Sequence, residues 1–220
     1  MSTKVKICGL TNQEDALHAA AHGADYLGFI LYPPSPRAIS IAAVQSITTV
    51  LRHTHPSVSL VGVFVNETAS TVAHWLDEGG LDLAQLHGDE VPWMVGAPDS
   101  PLYGRCYKAL RPISLTEAEA EAEWYMPPEW PGNYPSMLID TYHPRLRGGT
   151  GAITDWQMVA GLAQTIKGLM LAGGLTPDNV NEAVRQVQPF AVDVASGVES
   201  RPGMKDREKV SRFIAAAKNP

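Results

Sequence analysis

The stretch KVKICGLTNQEDALHAAAHG, residues 4–23, contains one complete strand–turn–helix unit. Lys4, Val5, Lys6 and Ile7 alternate polar and apolar, as a short strand does. Gly9 breaks that pattern, Thr11 or Asn12 can cap a helix starting near Gln13, and Gly23 stops it as a C′ glycine. Read over residues 4–8, the strand ends on Cys8, at the point where the chain turns into the helix. An open, doubly wound sheet would more often carry GxGxxG or GxxxxGK[ST] in that turn, and here it reads CGLTNQ.

The same unit recurs along the chain. Strand-like runs fall at 4–8, 25–30, 59–65, 82–86, 104–110, 136–140, 168–172 and 191–194. Helix-like stretches lie between them near 13–22, 40–52, 67–77, 89–95, 114–124, 155–166, 177–187 and 205–217. The seventh helix is expected to start at TPDNV, with Thr176 as cap and Pro177 in its first turn. Eight strands each followed by a helix predict a single-domain (β/α)8 barrel, a TIM barrel, over residues 1–220, with the open sheet as the competing architecture. No interdomain linker is visible. The acidic TEAEAEAEW (116–124) reads as a solvated helix face, and the proline-rich MPPEWPGNYP (126–135) as a loop on the face away from the chemistry.

Composition narrows the function. Hydrophobic residues make up 45% of the 220, enough for a sizeable core. The net charge of −6 argues against a nucleic-acid partner, which needs a basic footprint. Two cysteines, Cys8 and Cys106, make no disulfide framework, and Cys106 within a strand reads as packing. The N-terminus lacks the apolar core of a signal peptide, and no run is long and apolar enough to span a membrane, so a cytoplasmic location is expected.

In a barrel, residues just after each strand face a common mouth. Those positions hold Cys8, the loop YPPSPR (32–37), Asn66, His87, Arg111, Asp140 with TYHPRLRGGTG, GGLT (173–176) and SGVES (196–200). Gly173 and Gly174 let backbone N–H groups approach an anion, and Ser196, Gly197 and Val198 offer a hydroxyl and amides at a short helix start. Loops after strands seven and eight are the usual phosphate site of this fold. Arg37 follows the stiff Pro33-Pro34-Ser35-Pro36 and suits a two-pronged grip on a carboxylate, the alternative being an ordinary surface arginine. Asp140 ends an apolar run, where desolvation favours a protonated carboxyl; capping a helix or bracing a loop is the alternative. A thiol and a carboxyl group on different strands make a workable acid–base pair. The seven histidines lie mostly on helices, leaving His87 and His143 at the mouth, and metal ligation looks poor.

The segments KICGLT, GFILYPPSPR, VGVFVN, LAQLHGDE, LIDTY with the GGTG and DW that follow, LAGGLTPDNV and DVASGVESRPGMKD run in order from residue 6 to 206. They resemble the phosphoribosylanthranilate isomerase family of tryptophan biosynthesis, and the region 97–135 carries little of the likeness. The resemblance implies a (β/α)8 enzyme that performs an Amadori rearrangement on a phosphorylated small molecule without metal or organic cofactor. It implies Cys8 as general base, Asp140 as general acid, Arg37 as binder of the anthranilate carboxylate, and Gly173, Gly174, Ser196 and Gly197 as phosphate ligands. His87 is a further candidate substrate contact. Ala195 stands where one common family pattern has a serine. A mobile loop over 143–151 is expected to close on the substrate. The rivals are a related histidine-pathway aminoaldose isomerase, which carries an aspartate where this chain has Cys8, and a non-catalytic sugar-phosphate-binding barrel. Monomer and homodimer both remain open.

Overall fold

Alternation within short strands sets the architecture, because successive side chains point to opposite faces of a sheet. In β1 (Lys4–Ile7) Val5 and Ile7 join the outer core while Lys6 points inward. The computed structural model describes residues 2–112, 114–127, 130–141 and 156–220. The remaining strands are β2 (Tyr26–Ile30), β3 (Ser59–Phe64), β4 (Leu83–Leu86), β5 (Cys106–Leu110), β6 (Met137–Asp140), β7 (Leu169–Ala172) and β8 (Ala191–Val194). All pair in parallel in chain order, and β1 pairs with both β2 and β8, closing an eight-stranded barrel.

Around it lie α1 (Gln13–Ala21), α2 (Ile41–Thr54), α3 (Ala69–Gly79), the short α4 (Trp93–Gly96), α5 (Leu115–Tyr125), α6 (Trp156–Thr165), α7 (Val180–Val187) and α8 (Arg207–Lys218). Tyr26, Val61, Leu83, Tyr107, Leu138 and Met170 fill the barrel interior, whereas Leu27, Phe29, Phe64, Leu86 and Leu171 pack beneath the helices. Side chains at the predicted starts hold several helices. Asn12 accepts from the Asp15 N–H, and Ser40, Thr68, Ser114 and Asp206 do the same for their helices, each cap contributing about 1 kcal/mol.

Three details differ from the sequence expectation, the first being α4, a single turn over Trp93–Gly96 where a helix near 89–95 was expected. α7 starts at Val180, because Thr176 to Asn179 form a turn in which the Thr176 carbonyl accepts from both Asn179 and Val180 N–H and the Asn179 side chain accepts from the Thr176 N–H. Between β8 and α8, Ser196–Val198 form a short 3₁₀ turn, followed by an unforeseen hairpin of β9 (Glu199–Arg201) and β10 (Met204–Lys205). This hairpin lies over the first βα loop: Thr11 Oγ1 donates to the Gly203 carbonyl at 2.5 Å, and Lys205 N–H donates to Asp15 at 2.9 Å. The proline-rich loop packs as expected at the opposite end, with Trp130 edge-on to Phe190 at 5.5 Å and against Gly168. No described helix is long and apolar enough to cross a membrane. Residues 143–151, the expected lid, lie outside the described residues.

Candidate active site

Cys8 is the residue immediately after β1, its N–H donating to the Val194 carbonyl at 2.9 Å. Only 4% of it is exposed. Lys6, two residues back on the same face, brings its Nζ to 3.5 Å from the thiol. The room for both comes from β2: a Cβ on Gly28 would stand 2.7 Å from Cys8 Sγ and 3.1 Å from Lys6 Cε. Burial pushes the Cys8 thiol above its ordinary value; Lys6 pulls it back, Asp193 adds to the rise and Lys205 lowers it. The free protein therefore holds a thiol that the lysine only partly acidifies.

Lys6 leads across the barrel to the other expected catalytic group. Its Nζ donates to Gln85 Oε1 on β4 at 2.5 Å, and Tyr107 OH donates to the same oxygen at 3.1 Å. The Gln85 amide nitrogen is left to donate to His87 Nδ1 at 2.9 Å. His87 then carries its proton on Nε2, which faces Asp140 Oδ2 at 3.9 Å, beyond hydrogen-bond reach. Burial first, then the charges of Arg111, Lys6 and Lys108, push the His87 value down to about 3, so the imidazole is neutral. Asp140 closes β6 with Arg111 Nε at 3.7 Å from the same oxygen. Its surroundings thus include a guanidinium and an imidazole rather than the apolar setting suggested by the strand before it. One chain of contacts, thiol to ammonium to amide to imidazole to carboxyl, runs from Cys8 to Asp140.

Arg37 lies across Gly9, which adopts φ 72°, and a Cβ there would meet Arg37 Cδ at 2.7 Å. The guanidinium already grips a carboxylate: Nε and Nη2 donate to the two oxygens of Glu199 at 2.8 and 2.7 Å. Lys205 Nζ donates to Glu199 as well, at 3.1 Å, and to the Ala195 carbonyl at 3.1 Å. Burial works against the Glu199 charge, yet Arg37 and Lys205 hold its carboxyl below the usual range. One edge of Arg37 is therefore spent on orientation, leaving Nη1 for any ligand.

Gly173 and Gly174 both have positive φ, 101° and 63°, turning the chain sharply after β7. The 3₁₀ turn holding Ser196 and Gly197 packs directly on that loop, and a Cβ on Gly197 would come within 1.9 Å of the Leu175 carbonyl oxygen. Asn179 braces the loop by donating to the Gly174 carbonyl at 3.1 Å. The four predicted anion-binding residues thus sit on two adjoining loops at the mouth. Cys106 opens β5 at the other end, buried, with burial pushing its thiol up to about 12.

Lys6, Gln85, Asp193 and Glu199 are site residues that sequence reasoning missed. Polar positions two apart on a four-residue strand were the available signal, because Lys6 shares a face with Cys8. Asp193, in the otherwise apolar AVDV of β8, was a second.

Comparison with known proteins places nearly the whole chain in one family. The family model of N-(5′-phosphoribosyl)anthranilate (PRA) isomerase matches residues 5–216. The chain belongs to that family. Its PRA isomerase relatives include that of Trichlorobacter lovleyi, 45% identical with 98% of each chain covered. That of Pseudomonas aeruginosa is 44% identical, over 99% of this chain and 96% of the relative. The Thermotoga maritima phosphoribosyl anthranilate isomerase structure superposes with a TM-score of 0.82 at 36% identity, covering 99% of this chain and 100% of that one. A further structure, solved with reduced 1-(o-carboxyphenylamino)-1-deoxyribulose 5-phosphate, gives 0.79 at 34% identity, with 99% and 100% covered. The chain is an enzyme, an isomerase of tryptophan biosynthesis.

Proposed function

We propose that the protein converts N-(5-phospho-β-D-ribosyl)anthranilate into 1-(2-carboxyphenylamino)-1-deoxy-D-ribulose 5-phosphate, with Asp140 as general acid and Cys8 as general base. The observation that carries this is the placing of a thiol and a carboxyl on separate strand ends at one mouth, joined by the contacts through Lys6, Gln85 and His87. Asp140 protonates the furanose ring oxygen, the C1′–O bond breaks, and the anilino nitrogen lone pair forms an iminium. Cys8, as thiolate, takes the C2′ proton, and the electrons of that C–H bond flow into the iminium to give an enolamine. Proton return at C1′ and loss of the O2′ proton leave the ketone. Each transfer contributes roughly 10²–10⁴-fold.

The other residues bind and orient. The amides of Gly173, Gly174 and Gly197 with the Ser196 hydroxyl hold the phosphate. Arg37, its far edge fixed by Glu199, holds the anthranilate carboxylate through Nη1. His87 offers its Nε2–H towards the substrate beside Asp140. Anchoring at both ends of the substrate supplies the alignment that proton transfer requires. The buried thiol needs help to ionise, and the iminium adds positive charge beside it at the step where the base is wanted. The reading takes residues 1–220 as one barrel domain working in the cytoplasm on a free small molecule, in keeping with two cysteines that are both unpaired.

The test is turnover. Purified protein given freshly generated phosphoribosylanthranilate abolishes its fluorescence and releases the ketose product. Binding without turnover would leave only a sugar-phosphate-binding barrel.

A further inference from the structure

The lysine beneath the thiol is a costly choice for a barrel interior. Such interiors are normally filled by branched apolar side chains, and a well-packed hydrophobic replacement for a buried ion pair is often neutral or stabilising. Lys6 is fully buried nonetheless. Its three ammonium protons face three acceptors: Gln85 Oε1 at 2.5 Å, Asp193 Oδ1 at 3.2 Å and Cys8 Sγ at 3.5 Å. Asp193 Oδ1 is itself buried without an aligned hydrogen bond among the described residues, so it holds the ammonium at 3.2 Å chiefly by charge.

We propose that Lys6 is a positioning residue for the reaction, supplying the counter-charge of the Cys8 thiolate, and that Asp193 attenuates that charge. With Cys8 protonated, Lys6 and Asp193 cancel. With Cys8 ionised, the ammonium has two anions to serve at comparable distances. The thiolate is thereby made accessible without being fixed in the free protein, which suits a base that must later surrender its proton. The remaining titratable groups facing the sulfur come from three other elements: Lys205 on β10, Arg37 in the β2–α2 loop and, on β5, the Tyr107 hydroxyl, which burial raises above the ordinary phenol value and keeps neutral. Glu199 holds Lys205 and Arg37 at 3.1 and 2.7 Å. Altering Glu199 would therefore change two cations at once, whereas altering Asp193 removes the ion-pair partner of Lys6 and of neither other cation. Burial opposes the Lys6 charge, but Asp193, Cys8 and Tyr107 together raise its value above the ordinary lysine range, so it stays charged throughout.

This inference rests on Cys8 being the base, but its test reads the thiol without substrate. The rate of Cys8 alkylation by iodoacetamide, located by peptide mass spectrometry, is followed against pH in wild type, Asp193→Asn, Lys6→Met and the double variant. Removing the carboxylate leaves the ammonium to the sulfur, so Asp193→Asn shifts the midpoint down and alkylates roughly tenfold faster at neutral pH, as an opposite charge this near is expected to do. Adding Lys6→Met to that background abolishes the gain, and Lys6→Met alone shifts the midpoint highest. The double variant buries no unpaired charge and serves if the single lysine variant fails to fold. A merely structural lysine would change melting temperature and leave the midpoints together. Equal midpoints in Asp193→Asn and the double variant overturn the proposal, whatever the turnover of either. If the midpoints separate but Cys8→Ser still turns over substrate normally, the lysine's hold on the thiol stands, and the role of Cys8 as base, with the reaction role drawn from it for Lys6, falls.

Discussion

Lys6 and Lys108 are both shut away from solvent, one facing into the barrel and the other lying beneath the helices. Lys108 is a closed case. Its Nζ donates to Glu90 at 3.0 Å and to the carbonyls of Gly88, Leu86 and Ala109, while Glu90 also accepts from the Asn66 and Gly88 N–H groups. Every group there is committed to tying the loops after β3 and β4 to β5. Lys6 shares its protons among an amide, a carboxylate and the buried Cys8 thiol, and Oδ1 of its carboxylate partner lacks an aligned hydrogen bond among the described residues. Two equally buried ion pairs thus differ in whether anything is left unsettled. The pair with unfinished business sits beside the proposed base.

That contrast can be broken first on the structural side, where the largest change in stability is expected. Lys108→Met strands the Glu90 carboxylate and costs about 3–5 kcal/mol in denaturant unfolding, while Lys108→Met with Glu90→Gln recovers much of it. Turnover per folded molecule changes little in either. If turnover collapses while the fold holds, the two lysines are not as different as drawn.

A cluster of intermediate character, Arg37–Glu199–Lys205, sharpens the comparison. Arg37→Lys keeps the charge but loses the fork, so roughly 1.5–3 kcal/mol of charged hydrogen bonding disappears from substrate and Glu199 together. The expected result is a higher KM with a smaller change in kcat, measured at fixed pH. A drop confined to kcat would move Arg37 from anchoring to chemistry.

His87 gives the smallest effect near neutral pH, and that effect carries a sign. Its folded value near 3 lies below the ordinary 6.5, so the unfolded chain takes up the proton first. Stability present above pH 6.5 is lost as pH falls towards 3, by about 1 kcal/mol over the first pH unit. His87→Gln flattens this dependence relative to wild type in acid-range melts. Parallel curves would mean that the histidine protonates freely in the fold.

The barrel could be read from sequence because its signal is repeated eight times and each strand is bounded by its own turn. Strand limits agree to within about two residues, and Asn12 and Gly23 act as read. The start of α7 was misjudged because Thr176-Pro177 suits a turn as well as a helix cap. The candidate site could be proposed from sequence where a residue type announces itself at a strand end, as Cys8 and Asp140 do, or after a stiff loop, as Arg37 does. It was illegible where the site is held by pairs distant in sequence: Glu199 reaches Arg37 across 162 positions, and Lys6 meets Gln85 across 79. A lysine alternating with apolar residues also looks like a solvent face until barrel closure turns that face inward.

The most direct test of the central claim is the kcat of Cys8→Ser and Asp140→Asn on phosphoribosylanthranilate, with wild type alongside and folding checked by circular dichroism. The account predicts that each variant loses roughly 10²–10⁴-fold while still binding the product ketose. Near-wild-type kcat in either variant would contradict the acid–base pair and require another group at the mouth to move that proton.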